Sequence, residues 1–131
     1  MTSRLQELVQ YKVLTSQTVR DLIAARIYPH RLESVKDPTL PCACVDGLGG
    51  SYVSRLPKVG MIPFSLWCWS RTSIEEAFDI HDAVFSVLHA QQFYFGTVSC
   101  VCEEFGPPID DYEEDLDGYY AMTSWRSVVL E

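Results

Sequence analysis

From Ile62 to Trp69 the chain alternates Ile62, Phe64, Leu66 and Cys68 with Pro63, Ser65, Trp67 and Trp69. Successive side chains of a strand point to opposite faces, and here both sets are largely apolar. A strand with one face in water carries polar residues on that side. This one needs cover on both faces, or a subunit contact on one of them, so a single uncovered sheet layer is excluded. Pro63 has no N–H to give to a ladder and is expected at the strand's start or on an edge.

Helices are available to supply that cover. Leu5, Leu8, Val9 and Val13 recur at helical spacing behind Thr2 and Ser3, either of which can accept from the first turn's free N–H groups. Thr15 to Thr18 interrupts the pattern, and Thr18 with Asp21 forms a weak capping box before a second stripe of Val19, Leu22, Ile23 and Ile27. Pro29 is expected to stop this second helix. Thr72-Ser73-Ile74-Glu75-Glu76 is the clearest helix start in the chain, because a hydroxyl residue is followed by acids that suit the positive end of the helix dipole. Ile74, Ala77, Phe78, His81, Val84, Phe85 and Leu88 then mark one apolar stripe.

The remaining elements read as strands. Leu40–Asp46 has strand character, Gly47 to Gly50 makes a flexible turn, and residues 51–60 form an open hairpin or an exposed loop. Phe93–Glu104 and Tyr119–Leu130 read as two long strands, antiparallel and joined by an acidic loop. The expected fold is α+β: a single antiparallel-rich sheet packed by an amino-terminal helical pair and one central amphipathic helix. With 131 residues and no linker or repeat, residues 1–131 are expected to form a single domain.

Charge is distributed unevenly. Residues 1–65 carry a balance of +3 and residues 66–131 one of −11, and six acids lie between Asp110 and Asp117. The net charge of −8 argues against direct, sequence-specific nucleic-acid binding, which needs clustered cations. The longest uncharged run, Val59–Ser70, has 12 residues, short of the ~20 a membrane helix requires, so no membrane partner is expected. Met1–Glu7 lacks the apolar segment of a secretion signal, and a soluble cytosolic product is expected. A dipolar subunit can attract its copies head to tail, and such contacts form a ring when they close. Solvated loop charges that aid only solubility are the plainer alternative.

No residue set carries a recognisable reaction. Cys42/Cys44 and Cys100/Cys102 are C-x-C pairs on strands, a poor substitute for the turn-borne spacing of zinc ligands, and with Cys68 they read as small buried apolar residues. His30, His81 and His89 make no catalytic set, and His81 falls on the helix stripe. Gly47-Leu48-Gly49-Gly50 lacks both the spacing of a dinucleotide loop and the lysine of a phosphate loop. Asp115-Leu116-Asp117-Gly118 lacks the alternation and terminal Glu of a calcium loop. No enzyme activity, metal or cofactor is expected. Three Trp, seven Tyr and six Phe are many for so small an interior, which places some of them, Trp67 and Trp69 first, at subunit contacts. Core packing alone would also account for them.

The layout runs from a helical pair ending in Arg26-Ile27-Tyr28-Pro29, through Leu40-Pro41 and a Gly-rich loop, into Trp67-Cys68-Trp69-Ser70. An amphipathic helix follows, then Glu103-Glu104-Phe105-Gly106-Pro107-Pro108, the acidic segment, and a last strand with Trp125. Over nearly the whole chain this layout resembles the tail terminator (tail completion) proteins of long-tailed bacteriophages. The density of acids from Asp110 to Asp117 departs from it. The resemblance implies a hexameric ring of identical subunits on the head-proximal end of the tail tube. It implies a virion protein of the tail's neck region, assembled in the host cytoplasm, with the tail tube protein and a head–tail connector or neck protein as partners. Such a ring ends tube polymerisation and offers the head-joining surface. A loop over residues 47–58 would suit a sealing segment. Arg55 and Lys58, or Arg20 and Arg26, are expected to meet Asp110, Asp111, Glu113, Glu114, Asp115 and Asp117 of a neighbouring copy. A head completion or head–tail adaptor protein, a small cytosolic enzyme and a zinc module remain the alternatives.

Overall fold

A computed structural model describes residues 2–47, 51–55 and 58–130, without the side chains of residues 2–4, 51–55 and 58. Helix α1 (Thr2–Val13) buries Leu5, Leu8, Val9 and Val13, as their spacing requires. Helix α2 (Gln17–Ile23) starts two residues earlier than expected: Ser16 is the cap, its Oγ accepting from the Val19 N–H at 3.3 Å, and Thr18 lies inside the helix. It also ends early. Ala24 takes a left-handed φ of 56° and breaks the helix five residues before Pro29. Ile27 is therefore not helical but begins a two-residue strand, β1 (Ile27–Tyr28).

A single 3-10 turn, Leu32–Ser34, leads to β2 (Cys42–Gly47), β3 (Ser51–Arg55) and β4 (Lys58–Ser70). The Gly-rich turn expected at 47–50 falls, beyond Gly47, outside the described residues. Helix α3 (Ile74–Leu88) is followed by β5 (Gln92–Phe95), β6 (Val98–Glu113) and β7 (Gly118–Leu130). The described strands form one sheet of order β1-β2-β4-β7-β6-β5, with β3 also on β4. All pairings are antiparallel except β1 with β2. The fold is α+β, with the helical pair and α3 against the sheet.

Helix α3 shows how local chemistry settles an element. Ser73 is extended, and its Oγ accepts from the Glu76 N–H at 3.1 Å, while Ser70 Oγ donates to the Glu76 carboxylate at 2.7 Å. The buried stripe is Ala77, Ile80, Ala83, Val84 and Leu88. It is rotated from the expected one, so Phe78, His81 and Phe85 sit at its flank, half-buried.

Both faces of β4 are covered, but only along its second half. On the inner face Ile62, Phe64, Leu66 and Cys68 join α1, α2, α3, Trp125 and Val129 in the main core. On the outer face Trp69 packs with Leu32, Cys42 and Cys44 in a second, smaller core, flanked by Tyr28, Leu40, Trp67 and Tyr120. Residues 28–40 thus form a partial second layer. Gly118 fits beneath it, since a Cβ there would stand 2.9 Å from Leu40 and 3.1 Å from the Trp69 ring.

Pro63 is not at the start or edge of its strand. It lies inside β4 opposite Arg126 of β7. On its other side β2 reaches only Phe64 and β3 begins at Met61, so no described residue pairs with it there. The missing N–H falls in that gap and interrupts no described ladder.

Phe93–Glu104 is two strands, not one. Gly96 (φ 64°) and Thr97 make a two-residue hairpin between Phe95 and Val98, a turn that needs a positive φ. The acidic loop is also shorter than expected. Asp110, Asp111 and Glu113 belong to β6, and only residues 114–117 connect it to β7. Between Phe105 and Ile109 the β6–β7 register shifts by a bulge containing Gly106 (φ 76°), Pro107 and Pro108. No helix among the described residues is long and apolar enough to cross a membrane.

Candidate assembly surfaces

The reactive side chains are spent on structure. All five cysteines are free and buried, with Cys42 and Cys44 in the outer core and Cys68, Cys100 and Cys102 in the inner one. The Cys100 and Cys102 sulfurs lie 3.6 Å apart. Its hydrogen bond to Cys42 and burial push the Cys44 thiol far up; burial does the same to Cys68, and the Cys100 contact with burial to Cys102. The thiolate, not the thiol, is the nucleophile, so these shifts lower the reactivity of Cys44, Cys68 and Cys102. Among the described residues no group of three or more His, Cys, Asp or Glu is placed to hold a metal ion.

The buried thiols predict a pH dependence. The folded chain keeps protons that the unfolded chain releases above the ordinary thiol value of 9.0. Stability is therefore full below that pH and falls as the pH rises past it. Urea midpoints are expected to drop between about pH 8 and about pH 10, and Cys68→Ala to make the stability lost over that interval smaller by about 1.4 kcal/mol. An unchanged loss in the variant would contradict this.

Two of the three histidines meet at Glu104. His81 Nε2 lies 2.5 Å from its carboxylate and His81 Nδ1 lies 3.0 Å from Asp82, while the Glu104 N–H donates to His89 Nδ1 at 3.1 Å. Among the described residues no hydroxyl or thiol hydrogen-bonds either imidazole. The cluster ties α3 to β6 and leaves His30 apart, on the surface.

What the fold leaves unfinished is surface. On the outer face of the sheet, beyond the second core, register brings Met61 opposite Val128 and Val128 opposite Val101. Val59, Leu130, Ser99 and Tyr94 form the next row. Met61, Val128, Leu130 and Phe105 are 40–47% exposed. They surround an Arg126–Glu103 ion pair of 3.3 Å and a shallow pocket of about 160 Å³, and the Arg126 guanidinium sits 5.7 Å from the Phe105 ring. An apolar patch rimmed by charge is a contact surface in waiting. Sequence reasoning missed it. The signal was present in Arg126-Ser127-Val128-Val129-Leu130, where apolar residues occupy both registers of the strand.

The second unfinished surface is the far part of β6. Every residue from Phe105 to Tyr112 is exposed. β5 stops pairing with β6 at Val101, and His89 and Ala90 cover the edge only as far as Glu104. Beyond that point β7 is the sole described neighbour. This arm carries Asp110, Asp111 and Glu113, with Glu114, Asp115 and Asp117 in its turn. Tyr112 donates its hydroxyl to Asp117 at 2.6 Å, which raises the phenol's pKa, and Arg71 faces Asp117 at 3.7 Å.

The other expected interface residues divide. Trp69 is corrected: at 1% exposure it belongs to the chain's own outer core and reaches no surface, its Nε1 without a partner among the described residues. Trp67 is half-buried, donating to Ser65 Oγ at 3.0 Å beneath the Arg31 guanidinium at 4.7 Å. Arg20 is exposed but bonded to the Leu14 carbonyl and Gln17, and Arg26 donates to the Pro41 carbonyl at 2.9 Å. Arg55 and Lys58 pair across the β3–β4 hairpin, at the end of the sheet opposite the acidic turn. Of the segment 47–58 considered for sealing, the described part is largely strand.

Neither a protein-family model nor any curated protein matches the sequence. The fold is similar to that of a chain in the solved structure titled "Virion of native gene transfer agent (GTA) particle". The TM-score is 0.71 at 14% identity, over 97% of this chain and 95% of that chain. The likeness of fold spans nearly the whole of both chains.

Proposed function

We propose that this chain is a structural virion protein, and specifically a tail terminator acting as a single domain over residues 1–131. Copies form a hexameric ring on the head-proximal end of a phage-type tail tube, end its growth and present the surface that joins the head. They assemble in the host cytoplasm and remain in the neck of the virion. The observation that carries this reading is the end-to-end likeness of fold to a virion chain. The distribution of surface supports it. The cysteines are buried, whereas an apolar half-face and a charged arm stand open. The open half-face around Met61 and Val128 meets the last ring of the tube, where apolar burial supplies most of the association energy. Charge on the arm governs register, since exposed ion pairs contribute only ~0–1 kcal/mol each. Deleting the gene in a producing strain tests the role. Tubes that run past their normal length beside unjoined heads are expected. Tails of normal length that merely fail to join heads would instead place the protein elsewhere in the neck.

A further inference from the structure

Besides the outer sides of its terminal strands β1 and β5, the sheet has among the described residues two further five-residue edges without a partner, one on each side and at opposite ends. One is the arm of β6 from Ile109 to Glu113, whose outer side pairs with nothing described. The other is β3, Ser51–Arg55, which among the described residues pairs only with β4. Each is five residues long, about 17 Å of strand. The arm is acidic, with Asp110, Asp111 and Glu113 along it. The β3–β4 hairpin is basic, closed by Arg55 opposite Lys58. Like edges repel, so two arms do not pair with one another, and neither do two basic hairpins.

We infer that the arm of one copy pairs with the β3 edge of the next, extending the sheet from subunit to subunit. This deepens the ring reading above and rests on it. The occupant of the arm is a second copy of this chain. Charge complementarity supports that choice, and so does topology. β6 and β3 run in opposite directions along the sheet, because β6 is antiparallel to β7, β7 to β4, and β4 to β3. A copy displaced sideways without turning over therefore presents β3 antiparallel to the arm, the commoner pairing. The contact joins two different patches, so it is heterologous and closes into a ring instead of a dimer. The two edges sit at different heights on the sheet, so successive copies are staggered, as closure of a tilted sheet requires. Gly106-Pro107-Pro108 sets the arm apart from the rest of β6 and re-aims it.

Two charge-reversed chains test the contact by native mass spectrometry at low salt. One carries Asp110→Lys, Asp111→Lys and Glu113→Lys; the other carries Arg55→Glu and Lys58→Glu. Each alone is expected to lose its ring population at least tenfold with an unchanged circular dichroism spectrum, since arm and hairpin then bear the same sign. Mixed, the two are expected to recover rings containing equal numbers of each, because every arm again meets an opposite hairpin. Rings from either variant alone, or a mixture that stays monomeric, overturn this contact while wild-type rings keep the ring reading intact. A wild-type chain that is monomeric under the same conditions overturns both.

Discussion

Trp125→Ala is expected to destabilise the fold by about 3–5 kcal/mol, a large share of the ~5–15 kcal/mol that holds a domain of this size. Trp125 is fully buried at the centre of β7. Its ring stacks on Phe64 at 5.9 Å and meets Phe85 and His89 edge-on at 6.3 and 6.1 Å. Its Nε1 donates to the buried Thr123 hydroxyl at 2.8 Å. Truncation opens a cavity between α3 and the sheet and strips Thr123 of its donor. It also loosens the support behind β6, because His89 binds the Glu104 backbone just before the arm begins. Urea unfolding followed by circular dichroism measures the loss. A cost under about 1 kcal/mol would mean that the inner core is not organised around this ring.

The second large effect is on assembly, with little on folding. Met61→Asp combined with Val128→Asp places two carboxylates opposite one another on the open half-face. Both positions are nearly half exposed, so the fold is expected to lose no more than about 1 kcal/mol. If the half-face seats the tube end, each change removes an apolar anchor and buries a charge there, and capture on tube ends is expected to weaken at least ~30-fold. Ring mass should be unchanged, because neither substituted residue lies in the arm or in β3, although Met61 pairs with Ser51 of β3 through its backbone. Co-sedimentation with preformed tubes measures the first quantity and native mass the second. Tube capture at wild-type strength would remove the half-face from the docking surface.

Local chemistry was legible in the sequence where it was self-contained. Ser73 and Glu76 announce α3 because a cap needs only residues three apart. The apolar alternation from Ile62 to Trp69 likewise announces a strand between two layers, and the second layer is the segment carrying Leu32 and Leu40. Other features depended on partners that sequence does not display. The run Asp110-Asp111-Tyr112-Glu113 has the composition of a loop, yet it is strand because Tyr119 to Ala121 hold its backbone. Gly96-Thr97 is a turn hidden between two apolar runs. His81 drew the expected α3 stripe toward itself, whereas the imidazole belongs to the flank, beside Glu104, and Ile80 takes the core. Trp69 reads as a surface anchor only until the outer layer over it is seen.

The candidate surfaces were half legible. Charge segregation is written in the sequence, so a positive and a negative region could be expected to meet. Their placement at opposite ends and on opposite sides of one sheet follows from strand order, and the proposed contact between copies rests on that placement. The half-face was obscured because Val128, Leu130 and Met61 each resemble ordinary core residues. It is their common register, opposite the face that the helices cover, that leaves them in water.

Cryo-electron microscopy of purified virions, with this chain labelled at an exposed turn, would locate it directly. One ring of about six copies between the last tube ring and the head is expected. Label spread along the tube, or virions that contain none of it, would contradict the terminator role.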